Sequence, residues 1–95
     1  MGIAFEWDEA KAESNRRKHG VTFEEAITCF ADTLSLTIPD PDHSVGEHRY
    51  LLLGYSHRQR LLVVAHVEVD EGATIRLISA RPADRGEQRH YEQGV

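Results

Sequence analysis

A single cysteine, three prolines and no long apolar run set the first limits on this 95-residue chain. With Cys29 alone there is no internal disulfide and no Cys-based zinc cage, and a reducing cytosol is the expected compartment. Cys29 lies in an apolar helical stretch, so a packed and inert thiol is expected there. No segment approaches the roughly 20 apolar residues that a membrane helix needs. The opening MGIAFEWDEA has neither the basic start nor the apolar core of a signal peptide, so the chain is expected to act in the cytoplasm without a membrane partner. No nucleophile elbow, P-loop, dinucleotide fingerprint or zinc ligand set is present. Positive charge is also short: 11 Lys and Arg against 16 Asp and Glu give −5, which argues against a general nucleic-acid coat.

What is present reads as one ordinary domain, 40% hydrophobic and 28% charged. Asp8 to His19 reads as a surface helix, N-capped by Asp8, basic in its last turn and stopped by Gly20, with Phe5 and Trp7 as anchors. Trp7, Lys11, Asn15 and Lys18 share one of its faces. Thr22 and Glu25 have capping-box spacing, and Phe23, Ala26, Ile27 and Phe30 follow as a core-facing stripe. The period then changes to two at Leu34, Leu36 and Ile38. After the turn-rich PDPDHSVG come strands near Arg49 to Ser56, Leu61 to Val69 and Ala73 to Ala80. Pro82 suits the start of a last helix over about Ala83 to Gln93. The short turns imply an antiparallel meander, and the expected architecture is α+β: helices on a curved four-stranded antiparallel sheet, in the order α-α-β-β-β-β-α.

The tail TIRLISARPADRGEQRHYE packs four arginines and a tyrosine between Arg76 and Tyr91, basic chemistry in an acidic chain. Guanidinium forks suit phosphate. Arg49, Arg58, Arg60 and Arg81 stand at strand ends or turns, where side chains of separate strands can converge. For any one of them, keeping the sheet edge soluble is explanation enough; together with Arg76, Arg85 and Arg89 they point to a phosphate-bearing partner. Strict alternation puts His66 and Glu68 on one strand face and Ile75, Leu77 and Ser79 opposite Arg76, Ile78 and Ala80. Arg76 is then expected near Glu68 or His66, either as a cross-strand ion pair or as part of an acid–base site. His19 is either a charge at a helix C-terminus or a functional imidazole. DPDHSVGEH lacks calcium-loop spacing and a helical His pair, so no metal is expected at His43 or His48. No cofactor is expected.

FEWDEAKAESNRRKHGVTFEEA at the start, LTIPDPD, RLLVVAHVE and IRLISARPA, with Glu87 and Tyr91 beyond, resemble the BrnT toxins over almost the whole chain. The resemblance implies a RelE-like fold and a type II toxin that cleaves RNA and arrests translation. It also implies a partner, a BrnA-like antitoxin with its own ribbon-helix-helix domain, through which alone the complex would bind operator DNA. The chain departs from the family pattern at Pro82, where lysine is common, and in a less basic last helix. Under this resemblance Arg60, Arg76 and Arg81 are expected at the phosphate. His19, His66, Glu68 and Tyr91 compete for proton transfer, and Lys18, Arg49, Arg58, Arg85 and Arg89 are expected to bind RNA. No metal is needed for attack by a ribose 2′-OH giving a 2′,3′-cyclic phosphate. Two alternatives stay open, a non-catalytic module that only binds its antitoxin and a DNA-binding regulator. The antitoxin contact is expected over the basic tail and the sheet edge.

Overall fold

A computed structural model describes residues 2–40 and 48–94. The acidic loop between them, with His43, lies outside the described residues. The elements are β1 (Ala4–Glu6), α1 (Glu9–His19), α2 (Phe23–Thr28), β2 (Leu36–Pro39), β3 (Arg49–Tyr55), β4 (Leu61–Val69), β5 (Thr74–Pro82) and α3 (Arg85–Gln93). Short 3-10 turns at Cys29–Ala31 and Asp70–Gly72 extend α2 and join β4 to β5. No helix among the described residues is long and apolar enough to cross a membrane.

The fold is α+β, but its sheet has five strands and is mixed, in the order β1-β5-β4-β3-β2. The expected antiparallel meander holds for β2 to β5. The correction is β1, which pairs with β5 in parallel, Ala4 opposite Thr74 and Glu6 opposite Arg76. Three residues are too few for a visible period, and their partner lies far along the chain. Phe5 therefore anchors the start of the chain as part of a strand.

Local chemistry sets α1 as expected. The Asp8 carboxylate accepts from the N–H groups of Ala10 and Lys11, and Gly20 ends the helix at φ 69°. At α2 only half of the expected capping box forms. Thr22 Oγ1 accepts from the Glu25 N–H at 3.0 Å, while the Glu25 side chain turns into the protein. The complete box is at α3, where Asp84 and Glu87 satisfy each other's backbone donors. Pro82 belongs to β5 and α3 starts two residues later than expected.

The main core lies between one sheet face and α1 and α2. Val21, Phe23, Ala26 and Cys29 meet Leu52, Leu62, Val64, Ile75, Leu77 and Ala80 there. Strict alternation would have placed Ser79 in that set. A β-bulge intervenes: Ala65 pairs with Ser79 and His66 with Leu77, leaving Ile78 as the extra residue. The extra residue shifts the phase, so Ala80 is buried and Arg81 pairs with Val63 on the opposite face.

Asn15 is buried because it takes the place of a strand. Beyond β1 the edge of β5 is bare, and Asn15 Nδ2 donates to Ala80 O at 2.8 Å while the Ala80 N–H donates to Asn15 Oδ1 at 3.0 Å. The same Nδ2 donates to Val21 O, so one amide ties α1, the α1–α2 turn and β5 together.

Candidate nucleic-acid interface

The basic residues form two separate groups. The first is built at the C-terminal end of α1. Arg16, Arg17, Lys18 and His19 fill its last turn, where cations offset the helix dipole. The turn between β3 and β4 brings Arg58 and Arg60 to the same end, since Arg60 Nη2 donates to Gly20 O at 3.1 Å.

Arg60 is held there by Glu25, a carboxylate only 3% exposed. Arg60 Nε donates to Glu25 Oε2 at 2.9 Å, and a second guanidinium nitrogen reaches Oε1. Ser56 Oγ donates to Oε2 at 2.6 Å, and Arg58 lies 3.9 Å from Oε1. The hydrogen bonds from Arg60 hold the Glu25 carboxyl below its ordinary range. Burial opposes them and the Ser56 bond adds to them. Sequence reasoning missed Glu25 as a site-building residue. Its capping-box spacing gave it a local role, but its position beside the apolar stripe was the available signal.

Next to this pole a cleft of about 260 Å³ opens between α1 and the bulge of β5, lined by Lys11, Ser14, Asn15, Lys18, His19, Ile78 and Ser79. Lys11, Lys18 and His19 have no ion pair or side-chain hydrogen bond among the described residues, unlike Arg16 and Arg17, which reach Glu13 at 2.6 and 3.4 Å. Lys11 was visible in the sequence through the helical face it shares with Asn15 and Lys18. Ser79 was not, because the bulge that turns it toward the cleft leaves no period.

The second group lies on the opposite sheet face. Arg81 makes a bidentate pair with Glu87, at 2.9 and 2.8 Å, that holds α3 against the end of β5. This bond lowers the Glu87 carboxyl against the effect of burial and raises Arg81. Tyr91 donates its hydroxyl to Asp32 Oδ2 at 2.7 Å, which with burial pushes the phenol up to about 12. Burial works against the charge on Asp32, but donors from Tyr55, Tyr91 and Leu34 outweigh it and hold this carboxyl low. Arg85 and Arg89 are exposed on α3. Arg49, near Asp40, has an ion-pair distance of 4.0 Å to it.

The remaining candidates stand apart. Arg76 reaches back to Glu6 of β1, at 2.6 Å, and not to Glu68 or His66 as expected; it sits opposite Val67 with its side chain at the β1 edge. Glu68 is exposed near the end of β4 remote from Arg60, with about 26 Å of extended chain between them. His66 shares its face but is 3% exposed, between the rings of Phe30 at 4.9 Å and Tyr50 at 5.9 Å. Burial lowers the His66 pKa and so favours the neutral ring, with Nδ1 3.2 Å from Val64 O. Cys29 is fully buried, and burial pushes its thiol up to about 12. Arg60, Arg76 and Arg81 therefore do not share one notch. Each is engaged by a carboxylate of its own, and Arg60 lies across the sheet from Arg81.

The comparisons with known proteins agree with this fold. A family model described as the ribonuclease toxin, BrnT, of type II toxin–antitoxin systems matches residues 7–87. A crystal structure of the Brucella abortus ribonuclease toxin, BrnT, aligns with a TM-score of 0.68 at 21% identity, covering 88% of this chain and 100% of that one. That likeness shows the shared fold. No curated protein matches the sequence significantly.

Proposed function

The chain belongs to the family of BrnT ribonuclease toxins of type II toxin–antitoxin systems, and from that premise we propose that the cleft between α1 and the β5 bulge is where it holds and cuts RNA. The observation that supports this reading is the placement of Lys11, Lys18 and His19, without carboxylate partners among the described residues, around a cleft that adjoins Arg58 and Arg60. The charges of Lys11 and Lys18 stabilise a phosphate as negative charge develops on its oxygens. Of the four candidates for proton transfer, His19 alone lines this cleft. Tyr91 is bound to Asp32, His66 is enclosed by aromatic rings, and Glu68 stands at the far end of β4.

In the proposed reaction a base removes the proton of a ribose 2′-OH and the oxygen attacks the adjacent phosphorus. The bond from phosphorus to the 5′-oxygen breaks, and an acid protonates that oxygen. The products are a 2′,3′-cyclic phosphate and a 5′-hydroxyl, and the step needs no metal. His19 takes part in the proton transfer, Lys18 and Lys11 hold the phosphate, and Arg58 and Arg60 extend the track. In this proposal the toxin acts in the cytoplasm and arrests translation. A BrnA-like ribbon-helix-helix antitoxin neutralises it, and operator DNA is bound only through that antitoxin.

The test is RNA cleavage with end-group mapping, in the presence of a chelator, for His19→Ala, Lys18→Ala, Arg76→Ala and Arg81→Ala. His19→Ala is expected to lose about 10²- to 10⁴-fold in rate, with cyclic phosphate ends from the parent protein. An active His19→Ala beside an inactive Arg81→Ala would move the site to the other sheet face. One rival reading has an observation in its favour: Arg60, Arg76 and Arg81 are already neutralised by Glu25, Glu6 and Glu87, as in a chain that only binds its antitoxin. A parent protein that binds antitoxin but leaves RNA intact selects it.

A further inference from the structure

On the sheet face away from the main core, an apolar groove of about 170 Å³ runs beside α3. Leu36, Ile38, Leu53 and Val63 are among the side chains that form its floor, and Gly86 and His90 its wall. We infer that this groove receives an acidic, amphipathic segment of the protein antitoxin; the inference rests on the family assignment, which implies such a partner.

Three observations specify that occupant. Ile38, within β2, and Leu34, two residues before it, are 51% and 70% exposed, and β2 is the outermost strand at this end of the sheet. Aliphatic surface of this kind, beside a strand edge, accepts apolar side chains of another protein and offers no donors to a phosphate backbone. The second observation is charge. Arg85, Arg89 and His90 on α3 have no carboxylate partner among the described residues, while Glu87 is taken by Arg81. With Glu87 taken, the helix that walls the groove exposes two guanidiniums, Arg85 and Arg89, against one carboxylate, Glu92, on a chain of net charge −5, a local balance that favours carboxylates on the incoming segment.

The third observation is Gly86 itself. Gly86 is the second residue of α3, in its first turn, and adopts no left-handed backbone that would require glycine. A Cβ built there would meet only Asp84 Oδ1, at 3.5 Å. The fold has room for a side chain at this point, and the missing one keeps the wall of the groove low.

The experiment measures binding between the full chain and a BrnA-like ribbon-helix-helix antitoxin, by titration calorimetry at two salt concentrations, for Gly86→Ala, Ile38→Glu and His90→Glu. Gly86→Ala is expected to melt at the same or a higher temperature yet bind roughly tenfold more weakly; Ile38→Glu is expected to bind roughly a hundredfold more weakly. His90→Glu weakens binding several-fold and reduces its salt dependence. All three within about twofold of the parent, or a parent chain that does not bind this protein, overturns the inference. Sedimentation of the chain alone covers the other occupant: a dimer that Ile38→Glu dissociates would assign the groove to a second copy and also overturn it. RNA cleavage by the same preparations reports separately on the ribonuclease reading, since none of the three substitutions touches the α1–β5 cleft.

Discussion

Asn15 does the work of an edge strand with one side-chain amide, and three hydrogen bonds converge on it in a buried setting. Asn15→Ala leaves the Ala80 N–H and two carbonyls without partners, at about 1–3 kcal/mol for each buried group left unsatisfied. A loss of about 2–4 kcal/mol is expected, read as a lower midpoint in urea with an unchanged slope. Because Asn15 also lines the cleft, RNA cleavage should fall even where the variant remains folded. The sequence does not reveal this residue's role, since its partner backbone is 65 positions away. Asp8 and Gly20 are legible for the opposite reason, because caps act within four residues. Glu25 falls between the two cases: Thr22 bonds its backbone as expected, but Arg60 and Ser56 come from the distant β3–β4 turn to claim its side chain.

Among the elements, α3 is the one with the least core to hold it, and none of its residues is buried. Its attachments are polar: the Asp84–Glu87 capping box, the Arg81–Glu87 fork and the Tyr91–Asp32 hydrogen bond. Asp84→Ala removes the cap and frees one side of Glu87. It is expected to cost about 1 kcal/mol, seen as faster amide exchange through α3 before other elements respond. The long strands β3 and β4 and the stripe of α2 could be read from period and turn residues. The parallel strand β1 could not, because three residues carry no pattern. The bulge at Ile78 was equally hidden, and it is the bulge that separates Arg81 from the core side and turns Ser79 to the cleft. The arginine-rich tail was correctly seen as a concentration of charge. What its spacing did not convey is that folding assigns its arginines to different surfaces and supplies two of them, Arg76 and Arg81, with carboxylates.

For the molecule as a whole, the ionisable groups shift in a pattern that fixes the direction of its pH response. Glu25, Glu87 and Asp32 have lowered folded-state pKa values, so the stability they contribute is present above the ordinary carboxylate range and lost as pH falls through it. His66 is lowered as well, chiefly by burial, and its contribution begins to fall once pH drops below the unfolded value of about 6.5. On the alkaline side Cys29 and Tyr91 are raised to about 12, from reference values of 9.0 and 10.0. Their contribution is complete below those reference values and declines as pH climbs toward the folded ones. Denaturant midpoints measured from pH 3 to 11 (about the accessible range) should therefore be highest near neutrality and fall in both directions. In His66→Phe the decline below about pH 6.5 should become shallower, because the phenyl ring fills the same aromatic slot without taking up a proton.

The parallel register of β1 on β5 has a bearing on how the chain comes into being. Glu6 meets Arg76 and Asn15 meets Ala80, so β1 and α1 must wait for a strand 70 and 65 positions further along before they can dock. A nascent chain that has not reached β5 can fold α1 and α2 and begin the β2–β4 meander, yet one bank of the α1–β5 cleft has not been synthesised. For a family named for attacking RNA, this ordering keeps the weapon unassembled until β5 has been made.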